Sequence, residues 1–395
     1  MRTAPYAGDT NVKRLIAISG VVIFIYGMLA SMLGTILPSL QSRLDLSTLS
    51  LSYLALAQGI GLAATSVWAG ALMDRYGCKS GIAAGLVSSI AGLALLSHAP
   101  SLPAALSAMI LLGIGGSLVI VGANAMVSAV SHDDRGAALN ILNLFVGLGG
   151  MATPFVAANL LGEDVGRLTY CGIAIAFAAL VLILSASTPA GTVKAGTARG
   201  RPVLGDPSLY ILSAITFLYT ACEFAIWNWL PKLLTTSGMA AATALNILSL
   251  GFAGGMLGGR LLAAHVLQRQ SAWAVTLACS ILMGVVTLVI LHIQSATAVA
   301  VLVFVAGLCM APIFPTTIAI VGRLFEERAG TAIGFAITCG FSGLVISSPL
   351  IGFLADPSRA GMSGALHLIP ICAAIIAVIL IVFRRALADP AASIN

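Results

Sequence analysis

Charge is what this sequence has least of. Of its 395 residues only 8% are Asp, Glu, Lys or Arg, and the acids number 13; soluble domains carry about a quarter. Because 59% of the chain is hydrophobic, no soluble core of this size could hide the apolar surface. The seven cysteines are scattered and form no CxxC pair, which leaves no basis for a disulfide framework or a cysteine metal site. No Asn-x-Ser/Thr sequon occurs, in keeping with a bacterial inner membrane. No Gly-rich loop ends in Lys-Ser/Thr, so nucleotide-driven pumping is not expected. Neither a metal-ligand cluster nor a nucleophile–base pair is visible. The chain therefore reads as no enzyme, with no cofactor and no metal. Its net charge of +6 and pI of 9.1 come without a folded basic surface for nucleic acid.

What is present in abundance is apolar length. Runs of about 20 residues, enough to cross about 30 Å of hydrocarbon as helices, are expected near 14–38, 48–73, 77–97, 102–130, 137–160 and 166–187. Six more follow near 208–234, 241–266, 271–292, 296–322, 329–355 and 361–385. A membrane barrel needs alternating polarity, and Ile281–Leu291 is continuously apolar. The first run has full span length and no small-residue cleavage site, so it is expected to stay as a helix. With the N-terminus inside, only Arg43, Arg167, Lys232 and Arg359 fall on the outer side. That bias predicts cytoplasmic termini and explains the basicity.

The spans divide into two similar sets. Phe24-Ile25-Tyr26 precedes Leu37-Pro38-Ser39-Leu40, and Phe217-Leu218-Tyr219 precedes Leu230-Pro231-Lys232-Leu233, every position shifted by the same interval. That interval also maps Asp133-Asp134-Arg135 onto Glu326-Glu327-Arg328. A polar, Gly- and Thr-rich stretch separates the sets. We expect an all-α integral membrane fold of twelve helices in two pseudo-symmetric six-helix bundles: residues 1–187, a cytoplasmic linker 188–207, and residues 208–395. Parallel repeats of this kind carry the solute path between the halves.

The turn after the second span reads Gly70-Ala71-Leu72-Met73-Asp74-Arg75-Tyr76-Gly77-Cys78-Lys79. It resembles the signature of the major facilitator superfamily: Gly, an Asp-Arg pair, Gly and a basic residue. Gly77 permits a tight turn. Asp74, Arg75 and Lys79, with Asp134, Arg135, Glu327 and Arg328 at the equivalent turns, are candidate gating residues that pair with helix ends in one conformation and release them in another. The plain alternative is an ordinary basic turn. The equivalent turn in the second half, around Gly258, Gly259 and Arg260, is degenerate.

Glu223 is the one acid that falls inside a span. A charge there is costly and faces the bundle interior or a wet cavity; a desolvated carboxyl also holds its proton more readily. Its structural alternative is a protonated acid bonded between helices. Tyr219, Glu223 and Trp227 are spaced i, i+4, i+8 and share a helix face, with Asn228 beside it. An aromatic face next to hydrogen-bonding groups suits a sugar. Trp229 is either a further lining residue or an interfacial anchor. Asn124, Asn140, Asn143 and Gln58 could bond solute or tie helices together. Pro312 and Pro315 should kink the tenth span next to Thr316; Thr338 and Ser342 are weaker candidates.

Two segments resemble the fucose permease-like branch, the hexose–proton symporter group: Phe217–Glu223 with Trp229-Leu230-Pro231, and Pro312-Ile313-Phe314-Pro315-Thr316. Gly259-Arg260 also fits. The resemblance implies sugar uptake, commonly driven by protons. In that branch the first and fourth spans carry acids for proton coupling; here 21–38 has none, and Ile120 stands near the second, while Asn124 is retained. Either Glu223 carries the proton, or transport is uncoupled, or the substrate has diverged. No Lys or Arg lies mid-span and Arg260 is placed near an inner end, so a neutral solute is expected, moved by a monomer. The alternative function is proton-driven export of drugs or other amphipathic or cationic compounds through a permissive pocket of Met and aromatic residues. A third class, a non-transporting sensor or scaffold, would lack substrate-dependent flux.

Overall fold

The computed structural model describes residues 7–130, 135–162, 164–186, 205–293, 295–325 and 329–387. Among these residues there is no strand, and twelve helices are long and apolar enough to cross a membrane. The first six are α1 (Ala7–Leu44), α2 (Thr48–Tyr76), α3 (Cys78–Ser97), α4 (Leu102–Val130), α5 (Arg135–Val156, continued by a π-helical turn Ala157–Leu161) and α6 (Val165–Ser185). The second six are α7 (Pro207–Thr236), α8 (Ala241–Asn246, a π-helical stretch Ile247–Ala253, then Gly254–Val266), α9 (Ala272–Ile290), α10 (Ala296–Met310 and Ile313–Leu324), α11 (Ala329–Leu354) and α12 (Gly361–Leu366 and Leu368–Val382).

Local chemistry sets the ends. Ser47, Asp164, Asp206, Ser271 and Ser295 each accept a hydrogen bond from the first turn of the helix that follows, satisfying donors that a helix start leaves open. Pro207 opens α7, where its missing N–H costs nothing. Between α2 and α3 a single residue makes the turn: Gly77, at φ 84°, a conformation glycine adopts freely. The expected kink in the tenth span is a break, with Ala311 and Pro312 outside the flanking helices. A second break, at His367, divides α12.

Within each half the helices approach to backbone contact. A Cβ on Gly149 would strike the Phe24 carbonyl, and one on Gly27 the Val146 carbonyl, so α1 and α5 cross on glycine. Gly255 and Gly307 do the same for α8 and α10. Without a hydrophobic drive between helices in lipid, such close packing is what joins them.

Candidate central cavity between the halves

Odd-numbered helices begin at the face where the chain enters α1, here called the terminal face, and even-numbered helices begin at the opposite face. At the opposite face the two halves are locked together. Lys232 Nζ, near the end of α7, donates to Gln41 Oε1, near the end of α1. Asn159 and Asn246 exchange side-chain hydrogen bonds of 2.7 and 3.3 Å between the π turns of α5 and α8. Ser249 Oγ donates to the Met151 carbonyl at 2.7 Å. α1 and α7 touch where Gly34 meets the Trp227 backbone, and α2 and α11 touch where Ser52 meets Gly352.

Toward the terminal face α2 and α11 part. A Cβ on Gly59 would still meet Val345 at 2.9 Å. The antiparallel register that pairs 52 with 352 and 59 with 345 would bring 70 beside 334. A Cβ on Gly70 or on Gly334 meets nothing within 4 Å. Along the same stretch of α2, Ala64, Val67, Trp68, Gly70, Leu72, Arg75 and Tyr76 are all exposed, more of the circumference than lipid contact on one side requires. Among the described residues the halves are closed at the opposite face, and α2 and α11 stand apart at Gly70 and Gly334 toward the terminal face. α5 and α8 stay bridged lower down, where Arg260 Nη1 donates to the Asn143 carbonyl at 2.8 Å.

Glu223 sits where these elements meet. Tyr219 and Trp227 lie one turn to either side of it on the same helix face, and both side chains act on its carboxylate. Tyr26 of α1 is close enough to feel its charge, and Arg260 of α8 acts on it through space. The aromatic residues are fixed by packing. Trp227 stands edge-on to Phe252 with centroids 5.1 Å apart, and its tip lies over Gly150 of α5. Tyr219 lies 6.3 Å from Phe314, in the lower part of the broken α10. Tyr26 rests against Gly116 of α4. The cluster thus draws on α1, α4 and α5 of one half and α7, α8 and α10 of the other.

The remaining candidates divide. Gln58 Nε2 donates to the Leu29 carbonyl at 3.2 Å and ties α2 to α1. Thr316 is bonded to Thr276 at 2.6 Å and to the Pro312 carbonyl at 2.7 Å, tying α10 to α9. Asn124 and Thr338 donate to carbonyls one turn back in their own helices, and Asn143 lends its own carbonyl to Arg260. Asn228 is 2% exposed and lies at the α1–α7 crossing, its Oδ1 without a protein partner. Trp229 is 1% exposed, a core residue rather than an interfacial anchor. Of the gating set, Lys79 caps α6 by donating to the Leu184 and Ala186 carbonyls at 2.8 and 2.9 Å, a contact within the first half. Arg75 is exposed and lies over the Tyr76 ring. Asp134, Glu327 and Arg328, with the side chains of Asp74, Arg135 and Asn140, lie outside the described residues.

Two members of the cluster escaped the sequence reading. Tyr26 carried a signal, since it occupies the repeat position of Tyr219. Arg260 was set aside as a residue near a helix end; its guanidinium crosses to the Asn143 carbonyl of the other half, and its charge acts on Glu223.

The Major Facilitator Superfamily profile matches residues 20–348. An uncharacterized MFS-type transporter of Yersinia pestis is 22% identical over 348 residues, covering 86% of this chain and 88% of that protein. Among solved structures, a D-xylose–proton symporter superposes with a TM-score of 0.80 at 14% identity, covering 93% of this chain and 96% of the symporter. The transporter FucP, in its outward conformation, gives 0.65 at 18% identity over 95% of this chain and 98% of that one. With twelve membrane-length helices and a superfamily match over most of its length, the chain belongs to the major facilitator superfamily.

Proposed function

We propose that this chain is a secondary active transporter of a small, hydroxyl-rich solute of the sugar class, working by alternating access and driven by a proton carried on Glu223. The observation that carries the reading is the Glu223 cluster. One carboxylate lies between the halves, flanked by a tyrosine hydroxyl and an indole N–H, with Tyr26 facing it from the other half. An aromatic face can stack on the C–H face of a sugar ring, and the carboxylate and N–H can bond its hydroxyls. Glu223 also stands at a boundary that opens to one side, as a proton carrier must. The distribution of Lys and Arg supports cytoplasmic termini in a bacterial inner membrane, so the open terminal face would be the cytoplasmic one.

The test is uptake into proteoliposomes of labelled neutral and acidic sugars, with and without an inward proton gradient. Gradient-stimulated uptake that Glu223→Gln abolishes supports the reading. If no sugar moves and a lipophilic cationic dye is extruded instead, the protein is a proton-driven exporter.

A further inference from the structure

Arg260 changes what the site can carry. Its guanidinium is always charged and matches a carboxylate bidentately. One of its five N–H donors is given to the Asn143 carbonyl at 2.8 Å. Its Nη1 would lie 3.8 Å from a Cβ on Gly147, one turn from the Gly150 that the Trp227 tip covers, which sets the guanidinium near the level of Glu223 with its remaining donors left for a solute.

The charge balance of the cavity rests on these two residues. Among the described residues, the titratable groups that act on or feel Glu223 are Tyr26 from α1, Tyr219 on its own helix and Arg260 from α8. α11 and α12 bring the thiols Cys339 and Cys372, which face Ser213 and Cys222 instead. With Glu223 ionised, acid and guanidinium cancel. With Glu223 protonated, one positive charge is left uncompensated inside the membrane, an expensive condition. A neutral sugar leaves that charge standing, and a dianion overshoots it. A single carboxylate restores neutrality.

We propose that the solute is a hydroxylated monocarboxylate, a sugar acid, bound through Arg260 and carried with one proton on Glu223. The inference rests on the proton-coupled reading given above and narrows its substrate class. No bond is made or broken: one proton and one carboxylate enter together, and no net charge moves. Both forms that must change conformation, empty with Glu223 ionised and loaded with proton plus anion, are neutral at the site. The coupling is reciprocal. A carboxylate beside Glu223 favours its protonated form, and protonation favours the carboxylate.

The experiment uses D-glucuronate and D-glucose, which differ by one carboxylate, in proteoliposomes whose proton gradient and membrane potential are set independently with valinomycin and potassium. Glucuronate uptake should be driven by the proton gradient and change by less than twofold when the potential is reversed. Arg260→Gln should lower it at least tenfold; Arg260→Lys, which keeps the charge, should retain uptake with a raised KM, distinguishing a binding role from a folding defect. Proton-driven glucose uptake without glucuronate uptake overturns the inference and leaves the proton–sugar reading intact. Glucuronate uptake that follows the membrane potential also overturns it. Uptake of neither solute under any condition overturns both.

Discussion

Gly34 offers a direct way to push the conformational equilibrium. It lies in α1 where that helix crosses α7, and a Cβ there would sit well inside contact distance of the Trp227 carbonyl and 3.1 Å from Asn228 Cα. Restoring the usual 3.5–4.0 Å separation requires the two backbones to part by at least about 1 Å. The contact exists only between the halves and only at the closed opposite face. Gly34→Ala should therefore penalise this conformation rather than the fold of either half. Overpacking of a close contact costs about 1–3 kcal/mol, which converts to a shift of roughly 5- to 150-fold toward the state open at the opposite face. Gly149→Ala is the matched control: its Cβ would strike the Phe24 carbonyl inside the first half, destabilising folding without favouring either state. Hydrogen exchange read by mass spectrometry distinguishes the two. Gly34→Ala should raise exchange at the opposite-face ends of α1, α7 and α11 and lower it at the terminal-face ends of α2 and α11. Unchanged exchange, or the uniform rise expected of Gly149→Ala, would refute the assignment of Gly34 to the closed gate.

Three further outcomes are expected. A short bis-maleimide bridging Asn159→Cys and Asn246→Cys should stop net flux, because that pair must separate for the opposite face to open; flux surviving quantitative cross-linking, set against each single variant, argues that the α5–α8 contact is not part of the gate. Glu223→Gln should lose gradient-driven accumulation but retain exchange of labelled for unlabelled solute, a split visible in counterflow. Gln58→Leu and Thr316→Val each remove an interhelical side-chain hydrogen bond worth about 1 kcal/mol net; thermal unfolding should fall modestly while KM stays within about twofold, and a tenfold rise in KM would return either residue to the binding site.

The fold was legible because the bilayer imposes a simple rule: every span must be long and apolar, and all twelve runs became helices of crossing length. The proline pair in the tenth span announced its break for an equally local reason. The π-helical stretches of α5 and α8 left no such trace. They lie where Asn159 meets Asn246 and Ser249 meets Met151, so the cause is contact between halves distant in sequence. The candidate cluster was legible along α7, where Tyr219, Glu223 and Trp227 needed only helical periodicity to share a face. Across helices the sequence said less. Gln58 and Thr316 look like solute ligands by residue type but are tied to neighbouring helices, and Arg260 looks like a helix-end cation but crosses to the Asn143 carbonyl of the other half. Which polar group meets which depends on helix rotation and side-chain reach, and neither is written in local composition.

The distribution of charge between the halves bears on how the transporter can move at all. Glu223 and Arg260 both belong to the second half, while the first half faces them with Tyr26, Gly150 and the Asn143 carbonyl. The acid and the guanidinium therefore travel together when the halves rock, and opening the opposite face does not require opposite charges to be pulled apart in a medium of low dielectric. Besides the packing of Gly34 on Trp227 and of Ser52 on Gly352, what must break there is a small set of hydrogen bonds through Gln41 and Lys232, Asn159 and Asn246, and Ser249. Hydrogen bonds between neutral groups are each worth about 0.5–1.5 kcal/mol net and bonds to a charged group about 1.5–3, so the set amounts to a few kcal/mol. A solute and a proton can supply a bias of that size through different affinities for the two states. Had the pair been divided between the halves, each rocking cycle would have had to separate it, and the same cargo could not have driven the change.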